Sequence, residues 1–311
     1  MKAIYFNGKE AAYVENYPVQ QRVANESLIR VLLAGICNTD KEILKGYRPD
    51  FKGILGHEFV GIVEDSDDTS LIGKRVTADI NTGCGDCIYC NTGREKHCLN
   101  RKVIGIDGKD GCFSEYLTVK NRLLHVVPDH LSDEEAVYTE PLAAAVEIAS
   151  QIHIKPEKNI AVIGDGRLSF MITQVLALSG ADITVIGRHE EKLVQFAPYA
   201  KTTLHPEDTF EVVVDACGNG SGLKQAMEIV RKQGQIVLKS TYAGEVSLNM
   251  SLAAVNELQI TGSRCGPFEP AIRLLEKRLV KLPRVRLYRL KDHQEAFQSQ
   301  AFKVGFDLRN I

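Results

Sequence analysis

From residue 159 to residue 240 the sequence alternates between short strands and helices, and this rhythm restricts the possible folds more than any other feature. NIAVIG (159–164), DITVIG (182–187), VVVDACG (212–218) and QIVLKS (235–240) are dense in Val and Ile, without polar alternation. Such runs suit a parallel sheet buried on both faces. Between them, RLSFMITQVLALSG, EEKLVQFAPYA and GLKQAMEIVRKQG read as helices. This pattern predicts an α/β doubly wound domain with right-handed crossovers. The residues ahead of it differ. SLIRVLLAG, GHEFVGIVED, GKRVTADI, FSEYLTV and NRLLHVV are short apolar runs broken by Gly, Asn and Asp, and predict a mostly β first domain ending near residue 145. After LQITGSRCG, EPAIRLLEKRLVKL reads as a helix, and the tail as strand, helix, strand packing back onto the first domain. A chain of 311 residues fits about two domains.

The first part contains two sets of metal-ligand residues. Cys84, Cys87, Cys90 and Cys98 form a C-x2-C-x2-C-x7-C run. Four thiolates this close can close a tetrahedral zinc site with no open position. Four cysteines can also hold an iron–sulfur cluster, but nothing in the chain calls for one-electron chemistry, so zinc is the expectation. The second set is mixed: Cys37 in GICNTD, the pair His57-Glu58 in GHE, and Glu140 in TEPLA. A closed site beside a mixed one reads as a structural metal beside a working metal. The plainer view makes His57 and Glu58 polar residues at a strand start and Glu140 a charge at a helix N-terminus. Cys37 and the cysteine lobe weigh against it. Zn2+ with the Cys37 thiolate, neutral His57 and one carboxylate is a neutral complex. A second carboxylate makes it anionic and weakens its Lewis acidity. One of Glu58 and Glu140 is therefore expected to bind directly and the other through water or by ligand exchange. The sequence leaves open which is which. Cys112, Cys217 and Cys265 fall outside both sets.

Gly164-Asp165-Gly166 follows a strand and opens a helix beginning Arg167-Leu168. That is the context of a pyrophosphate-binding turn, where glycine admits the phosphates and the helix N-terminus offers free N–H groups. Ser169 stands where the third glycine of G-x-G-x-x-G belongs. NAD sites place an acid about 20 residues further on, against the ribose hydroxyls. Here the strand ends at Gly187, followed by Arg188, so the sequence places no carboxylate at that point to repel a 2′-phosphate, and Arg188 can pair with one. The expectation is NADP(H) ahead of NAD(H). The alternative makes Arg188 a solvated loop residue and assigns the ribose to Glu190 or Glu191.

A formal charge of −2, with lysines and arginines scattered among carboxylates, gives no basic field for nucleic acid. No apolar run reaches the ~18 residues of a membrane span. The opening MKAIYFNGKE lacks the apolar core of a signal peptide, so the expected location is the cytoplasm and the cysteines are expected to bind metal rather than pair.

GICNTD, GHE, the four-cysteine lobe, TEPLA and the VIGDG turn, in that order, resemble the zinc-containing medium-chain dehydrogenase/reductase family over nearly the whole chain. Glu140 within E-P-L resembles the sorbitol, threonine and glucose dehydrogenase branch, where a glutamate replaces a second cysteine. The resemblance implies a GroES-like catalytic domain interrupted by a Rossmann domain, with the active site in the cleft between. Here that means residues 1–145 with 266–311, and residues 146–265. It implies two zinc ions per chain, a small alcohol or carbonyl substrate, and a homodimer or homotetramer. It also makes Thr39 the hydroxyl that moves the alcohol proton. Asp40 becomes the group that orients His57 through its second ring nitrogen. Glu58 is counted with the catalytic residues as well as with the ligands. Ser169, Gly187 and the short stretch between Asp40 and Gly56 depart from the family pattern. Two other readings stand beside this one: a zinc-free reductase of the quinone oxidoreductase type, and a non-catalytic protein that senses the dinucleotide.

Overall fold

The computed structural model describes residues 1–241 and 245–310. The chain forms two compact units, Met1–Glu140 with Phe268–Ile311, and Pro141–Pro267. The second is thus inserted in the first. Its limits fall inside the helix Thr139–Gln151 and just ahead of the helix Phe268–Glu276.

The first unit is built on a seven-stranded sheet in which Glu26–Gly35 is central. It pairs antiparallel with Glu58–Ser66, with Tyr116–Lys120 and with Lys303–Asp307 near the C-terminus. Nearly every residue of Glu26–Gly35 is buried, which explains a run (SLIRVLLAG) too apolar for a one-sided strand. The tail predicted as strand, helix, strand is Val285–Tyr288, His293–Gln298 and Lys303–Asp307, and its last strand completes this sheet.

The second unit is a six-stranded parallel sheet. Its spatial order is Lys201–Thr203, Asp182–Ile186, Asn159–Ile163, Phe210–Asp215, Val230–Leu238, Gln259–Gly262. In sequence ranks this is 3-2-1-4-5-6, the doubly wound dinucleotide order, with its switch point beside the first strand. Ala161, Ile163, Phe210, Val213, Leu223 and Ile236 share one core on this sheet. Two helices are shorter than their sequence pattern suggests. The one expected through VRKQG stops at Ile229, because Val230 pairs with Phe210 and the chain passes straight into a strand. The one expected through KRLVKL stops at Glu276, just before Arg278 takes a positive φ of 52°. Among the described residues no helix is long and apolar enough to cross a membrane.

Candidate functional site

The antiparallel pairing of Glu26–Gly35 with Glu58–Ser66 brings the mixed ligand set together. Gly35 is opposite Glu58, so Cys37, two residues past one strand end, meets His57, one residue before the other strand begins. Candidate ligand atoms of Cys37, His57 and Glu58 all lie within 4.8 Å of one another. Cys37 caps the helix Asn38–Leu44, and its backbone N–H donates to Asp40 Oδ2 at 2.7 Å. Asp40 is completely buried. Its other oxygen, Oδ1, lies 3.4 Å from His57 Nδ1, and neither atom has a formed hydrogen bond. This is ion-pair range just short of a hydrogen bond. Burial drives His57 toward its neutral form, but the carboxylate of Asp40 and the sulfur of Cys37 outweigh it and hold the proton well above the usual imidazole range. Thr39 is half-buried, with Oγ1 3.7 Å from Cys37 Sγ.

One participant carries no sequence signal. Lys303, from the last strand, forms a buried ion pair with Glu58. Its ammonium also lies 5.5 Å from the centre of the Tyr138 ring. Gly35 makes room for the pair: a Cβ there would be 2.6 Å from Glu58 Oε2 and 3.0 Å from Lys303 Cε. Glu140, the second residue of the helix Thr139–Gln151, is not part of the 4.8 Å group. Cys112 is fully buried behind this set, with Sγ donating to the Glu58 carbonyl at 3.5 Å, and burial pushes its thiol well up.

The cysteine lobe is closed at its base by the pairing of Thr82 with Lys102. Its sulfurs are separated by 3.4 Å (Cys84–Cys98), 3.6 Å (Cys87–Cys90), 3.7 Å (Cys87–Cys98) and 4.0 Å (Cys84–Cys90). A tetrahedral ion with zinc–sulfur bonds of about 2.3 Å has sulfur–sulfur edges of about 3.8 Å. None of the four is in a disulfide. Backbone N–H groups of Cys84 and Asn100 donate to Cys98 Sγ at 3.2 and 3.3 Å. The donor set and spacing fit zinc. Cys98→Ser is therefore expected to lower bound zinc by about one ion per chain, as measured by elemental analysis.

In the second unit, Gly164 has φ 123°, and a Cβ there would be 2.8 Å from the carbonyl oxygen of Ala216. Glycine is required on both counts. Gly166 caps the helix Arg167–Ala177, which carries Arg167 and Leu168 in its first turn. Ser169 replaces the third glycine without loss of packing: it is fully buried, and its hydroxyl donates to Ala216 O at 3.3 Å.

The expectation of a carboxylate-free strand end is corrected here. The Asp165 side chain crosses to the end of the neighbouring strand, where its Oδ2 accepts from Arg188 N at 2.8 Å and His189 N at 2.9 Å. The sequence could not show this, because the acid comes from the loop and not from the strand that ends at Gly187. Arg188 donates to Ser221 Oγ, while Glu190 and Glu191 are exposed.

Comparison with known proteins identifies the family. The alcohol dehydrogenase GroES-like domain matches residues 23–129. A zinc-type alcohol dehydrogenase-like protein of Haemophilus influenzae is 30% identical, over 88% of this chain and 87% of its own length. The sorbitol dehydrogenase of Bacillus subtilis is 27% identical, over 84% and 81%. The crystal structure of an alcohol dehydrogenase of Escherichia coli CFT073 with NADH superposes with a TM-score of 0.89, at 25% identity and 99% coverage of both chains. With a GroES-like first unit, a 3-2-1-4-5-6 parallel sheet inserted in it and a 30% identical zinc-type relative covered over most of both lengths, the chain belongs to the zinc-containing medium-chain dehydrogenase/reductase family.

Proposed function

We propose that the chain is a zinc-dependent oxidoreductase that moves a hydride between a nicotinamide dinucleotide and the hydroxyl or carbonyl of an alcohol, polyol or sugar. The observation that carries this reading is the convergence of Cys37, His57 and Glu58 within 4.8 Å, beside a buried Asp40 oxygen that has no partner but His57. A thiolate, an imidazole and a carboxylate match the ligands of a working zinc site, and Asp40 supplies the acceptor that orients the imidazole. With Nδ1 turned to Asp40, Nε2 is the nitrogen left for a metal. A bound zinc ion supplies Lewis acidity, making a substrate hydroxyl acidic or a carbonyl electrophilic. Thr39, close to Cys37 Sγ, relays the proton in oxidation, accepting it from the substrate hydroxyl while passing its own hydroxyl proton on to solvent, and the transfers run the other way in reduction.

Lys303 changes the charge balance. Zn2+, the Cys37 thiolate and two carboxylates sum to one negative charge, which the ammonium cancels. A set that includes both Glu140 and the Lys303-paired Glu58 is thus neutral. Cys84, Cys87, Cys90 and Cys98 hold the second, structural zinc. For the nucleotide, the G-D-G turn with Arg167 and Leu168 binds the pyrophosphate. Arg188 after Gly187 supports NADP(H) ahead of NAD(H). The assembly in this reading is a homodimer or homotetramer.

The test is a panel of secondary alcohols, polyols and sugars assayed with NADP and with NAD, alongside metal analysis. The expected result is two zinc ions per chain and turnover of at least one hydroxylated substrate. One zinc per chain and no turnover across the panel would instead favour a zinc-free reductase or a dinucleotide sensor.

A further inference from the structure

In the second unit one carboxylate occupies a place the sequence assigns to glycine. Asp165 Oδ2 accepts hydrogen bonds from Arg188 N at 2.8 Å and His189 N at 2.9 Å, and lies 2.9 Å from His189 Nδ1. A Cβ on Gly187 would be 3.0 Å from both Asp165 Cβ and Asp165 Oδ2. The volume in which a strand-end acid would stand is therefore filled from the loop side. The side chain is 12% exposed. Burial alone would raise its pKa, but the N–H groups of Arg188 and His189 and the His189 ring hold it below the usual carboxylate range, so it is charged at neutral pH.

This corner also contains an opposing charge. The Arg188 guanidinium is tied to Ser221 Oγ at the start of the helix Gly220–Ile229. Arg188 attracts a phosphate at the adenosine ribose, and the Asp165 carboxylate repels it. Backbone N–H groups are good phosphate donors, and Asp165 has already taken those of residues 188 and 189. A 2′-phosphate thus meets a negative charge where it would otherwise find two donors. A ribose 2′-hydroxyl meets an acceptor instead. Among the described residues, no hydrogen bond to Asp165 Oδ1 is seen.

We propose that Asp165 is a specificity-determining residue that discriminates against the 2′-phosphate and leaves the chain able to use NAD(H), narrowing the preference that Arg188 alone would give. This rests on the nucleotide-binding reading of the Gly164–Gly166 turn. Placing the acid on the strand itself, by Gly187→Asp, is no substitute as a probe, because the new side chain would overlap Asp165 and Leu193.

The experiment measures Kd of the full chain for ADP-ribose and for its 2′-phosphate by calorimetry, in the wild type, Asp165→Asn and Asp165→Ser. Asn keeps an acceptor oxygen for the two backbone donors and removes the charge. Ser removes the reach as well. In both variants the 2′-phosphorylated ligand is expected to bind about tenfold or more tightly relative to ADP-ribose than it does in the wild type. Wild type and variants that bind both ligands with an unchanged ratio would overturn the role of Asp165. If the wild type binds neither ligand, the nucleotide-binding reading itself is lost, and this inference with it. Circular dichroism of each variant checks the fold, and either substitution alone is enough to decide.

Discussion

Cys37→Ala is expected to lower kcat by about a thousandfold or more and to remove about one zinc ion per chain, with the fold retained. The rate expectation follows from what the ion contributes. Charge stabilisation by a Lewis acid is worth several kcal/mol, and each 1.36 kcal/mol is about a factor of ten in rate. The metal expectation follows from the donor set, because removing Cys37 leaves two members of the 4.8 Å group. Stability should change little, since Cys37 is only half-buried and lies at the edge of the core. Stopped-flow turnover and elemental analysis of the same preparation check both parts. Zinc falling by about one ion with kcat unchanged would show that the mixed site binds metal without using it. Undiminished zinc would remove Cys37 from the ligands.

Lys303→Met is expected to destabilise the chelated, metal-free protein by about 3–5 kcal/mol, the usual cost of removing one partner from a buried ion pair. Glu58 is 1% exposed and its partner 2%. Without the ammonium a carboxylate remains in the core with its compensating charge gone. Removing that charge as well, in Lys303→Met with Glu58→Gln, should restore most of the loss, because two apolar or neutral groups of similar shape avoid the desolvation penalty. The measurement is the urea midpoint of wild type, both single variants and the double variant, taken as a cycle. Gly35→Ala tests the same pair sterically, since its Cβ would press on Glu58 and Lys303 together. A cost of about 1 kcal/mol or less for Lys303→Met would mean that Glu58 finds its charge balance elsewhere.

Local sequence carried most of the fold. The Val- and Ile-rich runs at 159–164, 182–187 and 212–218, alternating with helices, suit strands of a parallel sheet buried on both faces, and the Gly164–Gly166 turn follows the first of them. The cysteine lobe was equally legible, because its four cysteines lie within fifteen residues of one another in sequence and chain proximity already limits their geometry. Cys37, His57 and Glu58 were recognisable by residue type, and the register of Gly35 against Glu58 then set them side by side.

Three features had no local signature. Lys303 reads as an ordinary tail lysine until its strand pairs with Glu26–Gly35 and buries it against Glu58. Gly35 reads as a strand-ending glycine until that ion pair fills the space above it. The carboxylate beside Gly187 is missing from its own strand because Asp165 supplies it from a loop some twenty residues earlier. Residue type and periodicity report what a segment needs from its surroundings. Which distant side chain meets that need depends on strand register and on the packing of one element over another, and the chain acquires both only when it folds.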